Sequence, residues 1–270
     1  PVHFIFHTAL CRSTLLTRAL NIEGVSIGLS EPGIVLSLLA AGDEGRDLIA
    51  PILALLARPA SGGEAVFIKP SNHANRLVPA LLGASPGSRV ILMTSPLETF
   101  LASVASKGID GRRWARGAFH DVRSYAGMNL ALGEADMGAL TDMEAAGLSW
   151  LLNQSFFAFL LKGQWAKRLR ILDSEVFNAA RAETLGAALD LAGVTLEAEA
   201  LASAATSEVF STHAKFGSAF TASSRATILT DNPAIAQEIE QVSRWIAGLA
   251  EQSFVPLPLV HDLFDPAPTA

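Results

Sequence analysis

Short runs of large apolar residues alternate along this chain with longer stretches whose apolar residues recur every three or four positions. This alternation constrains the fold more than any other feature, because strand and helix bury their apolar residues with different periods. Residues 2–7 (Val-His-Phe-Ile-Phe-His) read as a strand and residues 8–13 as a loop; residues 14–20 place Leu15, Leu16, Ala19 and Leu20 on one helical face. This is the first half of a strand–helix–strand unit. Further strands are expected at 65–68, ended by Lys69-Pro70, at 89–93 and at 170–172. Glu31-Pro32-Gly33 turns into a helix that ends by Gly42, with proline near the first turn as helices prefer. Helices are also expected at 46–56, 75–82, 182–192 (stopped by Gly193) and 235–250, and one carries Leu97, Phe100, Leu101 and Val104 on a stripe. Residues 143–161 are apolar on nearly all sides and predict a central helix. Four short strands, each followed by helix, predict an α/β fold with a parallel sheet covered on both faces.

No linker or repeat divides the chain, so one domain over 1–270 is expected, with 108–138 as irregular helices and 203–232 as a polar stretch, both covering segments, and an extended proline-rich tail from 256 to 270. Half of the residues are hydrophobic and 17% are charged, which supplies a sizeable core and argues against disorder. A net charge of −6 argues against nucleic acid as a partner, since phosphate backbones require a basic face. The single cysteine, Cys11, permits no intrachain disulfide, and no apolar run reaches the length of a membrane span; with no signal peptide, a cytoplasmic location is expected. The hydrophobic share leaves room for an apolar interface in a homo-oligomer. No His/Cys ligand set suggests a metal.

The first candidate site is the loop 8–14, Thr-Ala-Leu-Cys-Arg-Ser-Thr. A loop between a parallel strand and a helix directs backbone N–H groups beyond the strand end, where the helix dipole favours an anion. Cys11, Arg12, Ser13 and Thr14 are the candidate binding residues. Ser13 and Thr14 serving only as helix caps is the plain alternative. A Walker lysine is missing, which excludes an ATP loop of that type and a phosphoryl-transfer enzyme built on it.

Residues 7–16 (His-Thr-Ala-Leu-Cys-Arg-Ser-Thr-Leu-Leu) resemble the 5′-phosphosulfate loop of the sulfotransferases, in which a basic residue precedes Ser-Gly, a hydroxyl residue and Thr. Leu29-Ser30-Glu31-Pro32 resembles the Glu-Pro segment after that loop's helix, Phe67-Ile68-Lys69-Pro70 the second strand with its lysine, residues 86–103 the 3′-phosphate segment, and residues 171–175 the strand ending in Tyr-Glu-Asp-Leu. The resemblance spans residues 3 to 195 with its motifs in order. It implies a three-layer α/β/α P-loop-type fold, 3′-phosphoadenosine 5′-phosphosulfate (PAPS) as donor, and sulfonate transfer to a hydroxyl of a small acceptor. In this alignment Lys69 or Arg12 stabilises the leaving phosphate and Ser103 bonds the 3′-phosphate. Glu31, preferred, and His73 are the candidate bases.

The sequence departs from the family pattern at three places. Leu10 stands where the loop's basic residue belongs, Arg12 replaces its glycine, and Thr94 replaces the 3′-phosphate arginine. Ser103 falls seven residues after Pro96 rather than six. Losing a bidentate arginine removes a strong charge-assisted contact. Arg12, Lys69, Arg112, Arg113, Lys215 and Arg225 are the cations available to replace it, with His213-Ala214-Lys215 in the region of the family's second basic loop. These departures keep a rival reading in view: a catalytically silent module of the same fold that binds a nucleotide, phosphate or protein partner. Trp114, Tyr125, Trp150 and Trp165 are candidates to stack on an adenine or an acceptor ring, with packing the expected role for most of them; His3 is expected to be structural and His7 to be a satisfied polar residue beside the loop.

Overall fold

A computed structural model describes residues 2–42, 44–58, 65–130, 132–211 and 232–265. It divides into two compact units, one of Pro1–Thr94, Gly163–Phe220 and His261–Ala270, the other of Ser95–Lys162 and Thr221–Val260.

The first unit holds a five-stranded parallel sheet in the order β2-β3-β1-β4-β5, formed by β1 (Val2–His7), β2 (Ser26–Ser30), β3 (Ala65–Lys69), β4 (Val90–Thr94) and β5 (Leu169–Asp173). Every residue of β1, β3 and β4 is buried, as expected for strands covered on both faces. On one face Ile5, Phe67, Ile91, Met93 and Leu172 pack with Leu16 and Ala19 of α1 (Ser13–Ala19) and with Leu20, which ends it. Phe177 of α9 (Ser174–Ala179) and Leu185, Ala188 and Leu189 of α10 (Arg181–Leu191) complete this layer. The unit also holds α2 (Gly33–Ala40), α3 (Glu44–Leu56), α4 (Val78–Ala84) and α11 (Ala198–Ala205). Arg168 closes the turn before β4 by donating to the carbonyls of Ser88 (2.8 Å), Leu82 (3.0 Å) and Ser85.

Four strands were expected; β2 is the fifth. Ser26-Ile27-Gly28-Leu29-Ser30 carries only two large apolar residues, and a glycine inside a strand weakens its signal. The glycine is there because α1 crosses close above it: a Cβ on Gly28 would stand 1.9 Å from the Thr17 carbonyl oxygen. The segment expected as a helix at 75–82 is a 3-10 turn, Asn72–Leu77, followed by α4, whose first turn contains Pro79. The tail is not merely extended: Ile171 N–H donates to His261 O (2.7 Å) and Leu263 N–H to Ile171 O (2.8 Å), so residues 261–263 run beside β5.

The second unit is helical. It comprises α5 (Leu97–Ala105), α6 (Gly108–Arg123), α7 (Glu134–Ala139), α8 (Asp142–Lys162) and α12 (Pro233–Gln252). Residues 108–123, expected as part of a stretch of irregular helices, form one regular helix. Its buried stripe is Gly111, Ala115, Ala118, Phe119 and Val122, mostly small residues that periodicity in large aliphatics overlooks. Gly111 is small of necessity, since a Cβ would lie 2.2 Å from Val104 O. The central helix expected at 143–161 is α8, buried on nearly all sides, and Gly147 admits Val242 and Ile246 of α12 against it. Of the described helices, none is long and apolar enough to cross a membrane.

Candidate functional site

The chain leaves β1 towards β2 and β3 on one side and later returns to β4 and β5 on the other, so winding reverses beside β1. Ligands of open α/β sheets bind outside the carboxyl ends of the strands at such a point. Hydrogen bonds tie four of these ends together. Glu31 N–H, just past β2, donates to Lys69 O at the end of β3 (2.6 Å). The ring of His7, at the end of β1, lies with Nε2 3.1 Å from Pro70 O. Thr8 N–H donates to Met93 O of β4 (3.1 Å).

The loop between β1 and α1 occupies this edge in an unusual conformation. Ala9 (φ 66°), Leu10 (φ 54°) and Arg12 (φ 64°) all lie in the left-handed region, which costs a residue with a Cβ roughly 1–2 kcal/mol. Arg12 has the conformation that suits glycine and stands where the sequence alignment places the loop's glycine. Ala9 N–H donates to His7 Nδ1 (3.0 Å), and the Asn75 amide donates to His7 O (2.9 Å). Ser13 is the first residue of α1 and is 4% exposed; Thr17 Oγ1 donates to its carbonyl (2.9 Å). The amides of Ser13 and Thr14 belong to the first turn and lack an acceptor within the helix. Arg12 Nε is shut off from water and has no hydrogen-bond partner among the described residues. Cys11 turns the other way. Its thiol is fully buried, 3.6 Å from Met93 O, so this residue can offer a ligand only its backbone. Burial pushes the thiol up; hydrogen bonds with Ser13, the Lys69 charge and Thr8 pull it partly back.

Lys69 is 1% exposed and its ammonium is paired with the Glu31 carboxylate, whose side chain is 42% exposed. Glu31 itself is left-handed (φ 51°), so its side chain is aimed by a backbone that most residues avoid. The two residues that the sequence offered as base and leaving-group stabiliser are therefore one ion pair, beside the loop. His73 is half-buried on the 3-10 turn Asn72–Leu77. Asp173 caps α9 by accepting from Glu175 N–H (2.7 Å), and burial pushes its carboxyl above the usual range.

Ser103 belongs to the second unit, is 2% exposed, and donates to Thr99 O in its own helix (2.6 Å). In the same unit Arg112 forks onto Glu238 (3.3 and 2.9 Å). Lys215 and Arg225 lie outside the described residues. Thr94, at the end of β4, is 7% exposed. The aromatic residues pack: Trp150 Nε1 donates to Ser95 O (2.9 Å), Trp114 meets Phe100, Tyr125 meets Phe156, and Arg168 stacks on Trp165. Among the described residues no group of His, Cys, Asp and Glu is placed to hold a metal ion. The sequence placed His7 beside the loop as a satisfied polar residue, but not its partners, and it missed Asn75; an asparagine many residues on carries no local sign that it meets a strand end.

No protein-family profile and no curated protein matches the sequence. Among the solved structures that match its fold are two with a TM-score of 0.53 at 13% identity. One is a sulfotransferase domain from the curacin biosynthetic pathway, with 95% of this chain and 98% of that one covered. The other is a sulfotransferase from Alicyclobacillus acidocaldarius, with 95% and 97% covered. The five-stranded parallel sheet flanked by helices is thus the fold of these sulfotransferases, over nearly the whole of this chain and of theirs.

Proposed function

We propose that the chain is a sulfotransferase that moves a sulfonate from PAPS to a hydroxyl of a small acceptor. The observation that carries this reading is the Glu31–Lys69 ion pair, held at the carboxyl edge of the sheet beside an anion-shaped loop. In this reading the amides of Ser13 and Thr14, their hydroxyls and the Arg12 guanidinium take the 5′-phosphosulfate. The acceptor oxygen attacks sulfur and the bond from sulfur to the phosphate oxygen breaks. The acceptor's proton passes to a Glu31 carboxylate oxygen, while charge on the departing phosphate is met by the loop donors and Arg12. Lys69 orients the carboxylate through the ion pair. His73 is the other candidate base; Ser103, Lys215 and Arg225 are the candidates for the 3′-phosphate.

Calorimetric titration with adenosine 3′,5′-bisphosphate and with 5′-AMP tests this. Binding that depends on the 3′-phosphate is expected, and no binding to either nucleotide overturns it. The second reading, a silent binding module of the same fold, is favoured by Thr94 in place of the arginine and by Arg112 being engaged with Glu238. Nucleotide binding without sulfonate transfer to any of a panel of hydroxyl acceptors decides for the module.

A further inference from the structure

We propose that His7 is a positioning residue for the anion loop, a latch that fixes the loop to the exit of β3 through a single ring tautomer. The inference rests on the loop being the anion site proposed above. Ala9 N–H has only a proton to give, so the Nδ1 atom 3.0 Å away must be the bare nitrogen. The ring proton then sits on Nε2 and is donated to Pro70 O at 3.1 Å. One neutral imidazole therefore joins the first left-handed residue of the loop to the residue after Lys69. Asn75 fixes the backbone of the latch by donating to His7 O (2.9 Å), and the residue is 4% exposed, so water does not compete for either ring nitrogen.

The consequence is mechanical. Ala9, Leu10 and Arg12 pay for left-handed conformations, and a loop strained in this way keeps its shape only where its surroundings fix it. The His7–Ala9 bond holds the first of these residues. The His7–Pro70 bond sets the loop's distance from Lys69 and so from the Glu31 carboxylate. The ring reaches both partners in one tautomer only, and protonation at Nδ1 or a flipped ring breaks the Ala9 bond.

His7→Asn and His7→Gln separate the two bonds. Asparagine places an amide oxygen near the Nδ1 position and keeps an acceptor for Ala9 N–H while giving up Pro70. Glutamine reaches Pro70 O with its amide and offers Ala9 nothing. The Ala9 amide is expected to stay protected from hydrogen exchange in the wild type and in His7→Asn, and to lose protection in His7→Gln. Affinity for adenosine 3′,5′-bisphosphate should fall in both variants, about tenfold in His7→Gln, the loss expected for one buried donor left unpaired, and by less in His7→Asn, where the loop keeps its own bond and only the tie to Pro70 is lost. Urea unfolding of both variants gives the structural reference. The ring of the wild type should show the Nε2–H tautomer by nitrogen NMR. Unchanged Ala9 protection in His7→Gln, an Nδ1–H ring, or equal affinity losses in both variants in step with their stability overturns the latch. If the wild type binds neither nucleotide, the proposed function fails, and the Ala9 exchange comparison and the tautomer still decide whether His7 holds the loop.

Discussion

Glu31→Gln and Lys69→Met remove the same ion pair from opposite ends, and the two substitutions should differ in cost. Lys69 is 1% exposed while the Glu31 side chain is 42% exposed. Taking one partner from a fully buried pair costs roughly 3–5 kcal/mol, because the charge left behind is buried without compensation. Glu31→Gln leaves the ammonium in that position. Water reaches the glutamate end, so the penalty should be lower, about 2 kcal/mol. Lys69→Met removes the buried charge and keeps an unbranched stem of similar length, while the Glu31 carboxylate stays at a water-accessible end; the cost should be within about 1 kcal/mol. The backbone bond from Glu31 N–H to Lys69 O survives in both variants, and glutamine is no better suited than glutamate to the left-handed φ, so neither confounds the comparison. Thermal unfolding should show Glu31→Gln lowered by about 4–8 °C and Lys69→Met by much less. Lys69→Met being the more destabilising of the two would refute the argument, since it would mean that the pair attracts more than the lysine's burial costs.

Two further predictions concern the sheet. His3 Nδ1 accepts from Arg89 N–H (3.2 Å) in a site 3% exposed, and burial is the main cause that lowers its pKa to about 4. Between pH 6.5 and 4 the unfolded chain binds a proton here that the folded chain refuses, so stability falls as pH drops through this window, by at most roughly 3 kcal/mol; urea unfolding at several pH values should show a shallower fall in His3→Asn than in wild type, and parallel curves would contradict the assignment. Gly28→Ala should cost about 3 kcal/mol, the upper end for overpacking, because its Cβ would meet the Thr17 carbonyl oxygen at 1.9 Å and α1 would have to lift from β2; an alanine variant with wild-type stability would contradict that close approach.

The α/β architecture was legible in the residues alone. Runs such as residues 2–7 and 90–94 are dominated by large apolar residues on both faces, as a strand buried on both sides between helices requires, so a parallel sheet was legible from composition and period alone. The loop after the first strand and Lys69 were legible as candidates because each sits where an apolar run stops, the edge at which open α/β sheets bind ligands; Glu31 was a candidate through the resemblance of Leu29-Ser30-Glu31-Pro32 to the Glu-Pro segment, since the strand before it went unread. Only the tertiary structure decided what these residues do to one another. β2 escaped because its glycine answers to a helix crossing above it, and the regularity of α6 because its buried stripe is made of small residues chosen for close approach. The pairing of Glu31 with Lys69, the inward turn of the Cys11 thiol and the bridging ring of His7 depend on contacts between residues far apart in the chain. Periodicity reports only the face a residue shows to the core; which partner waits there is set by the order in which the strands assemble.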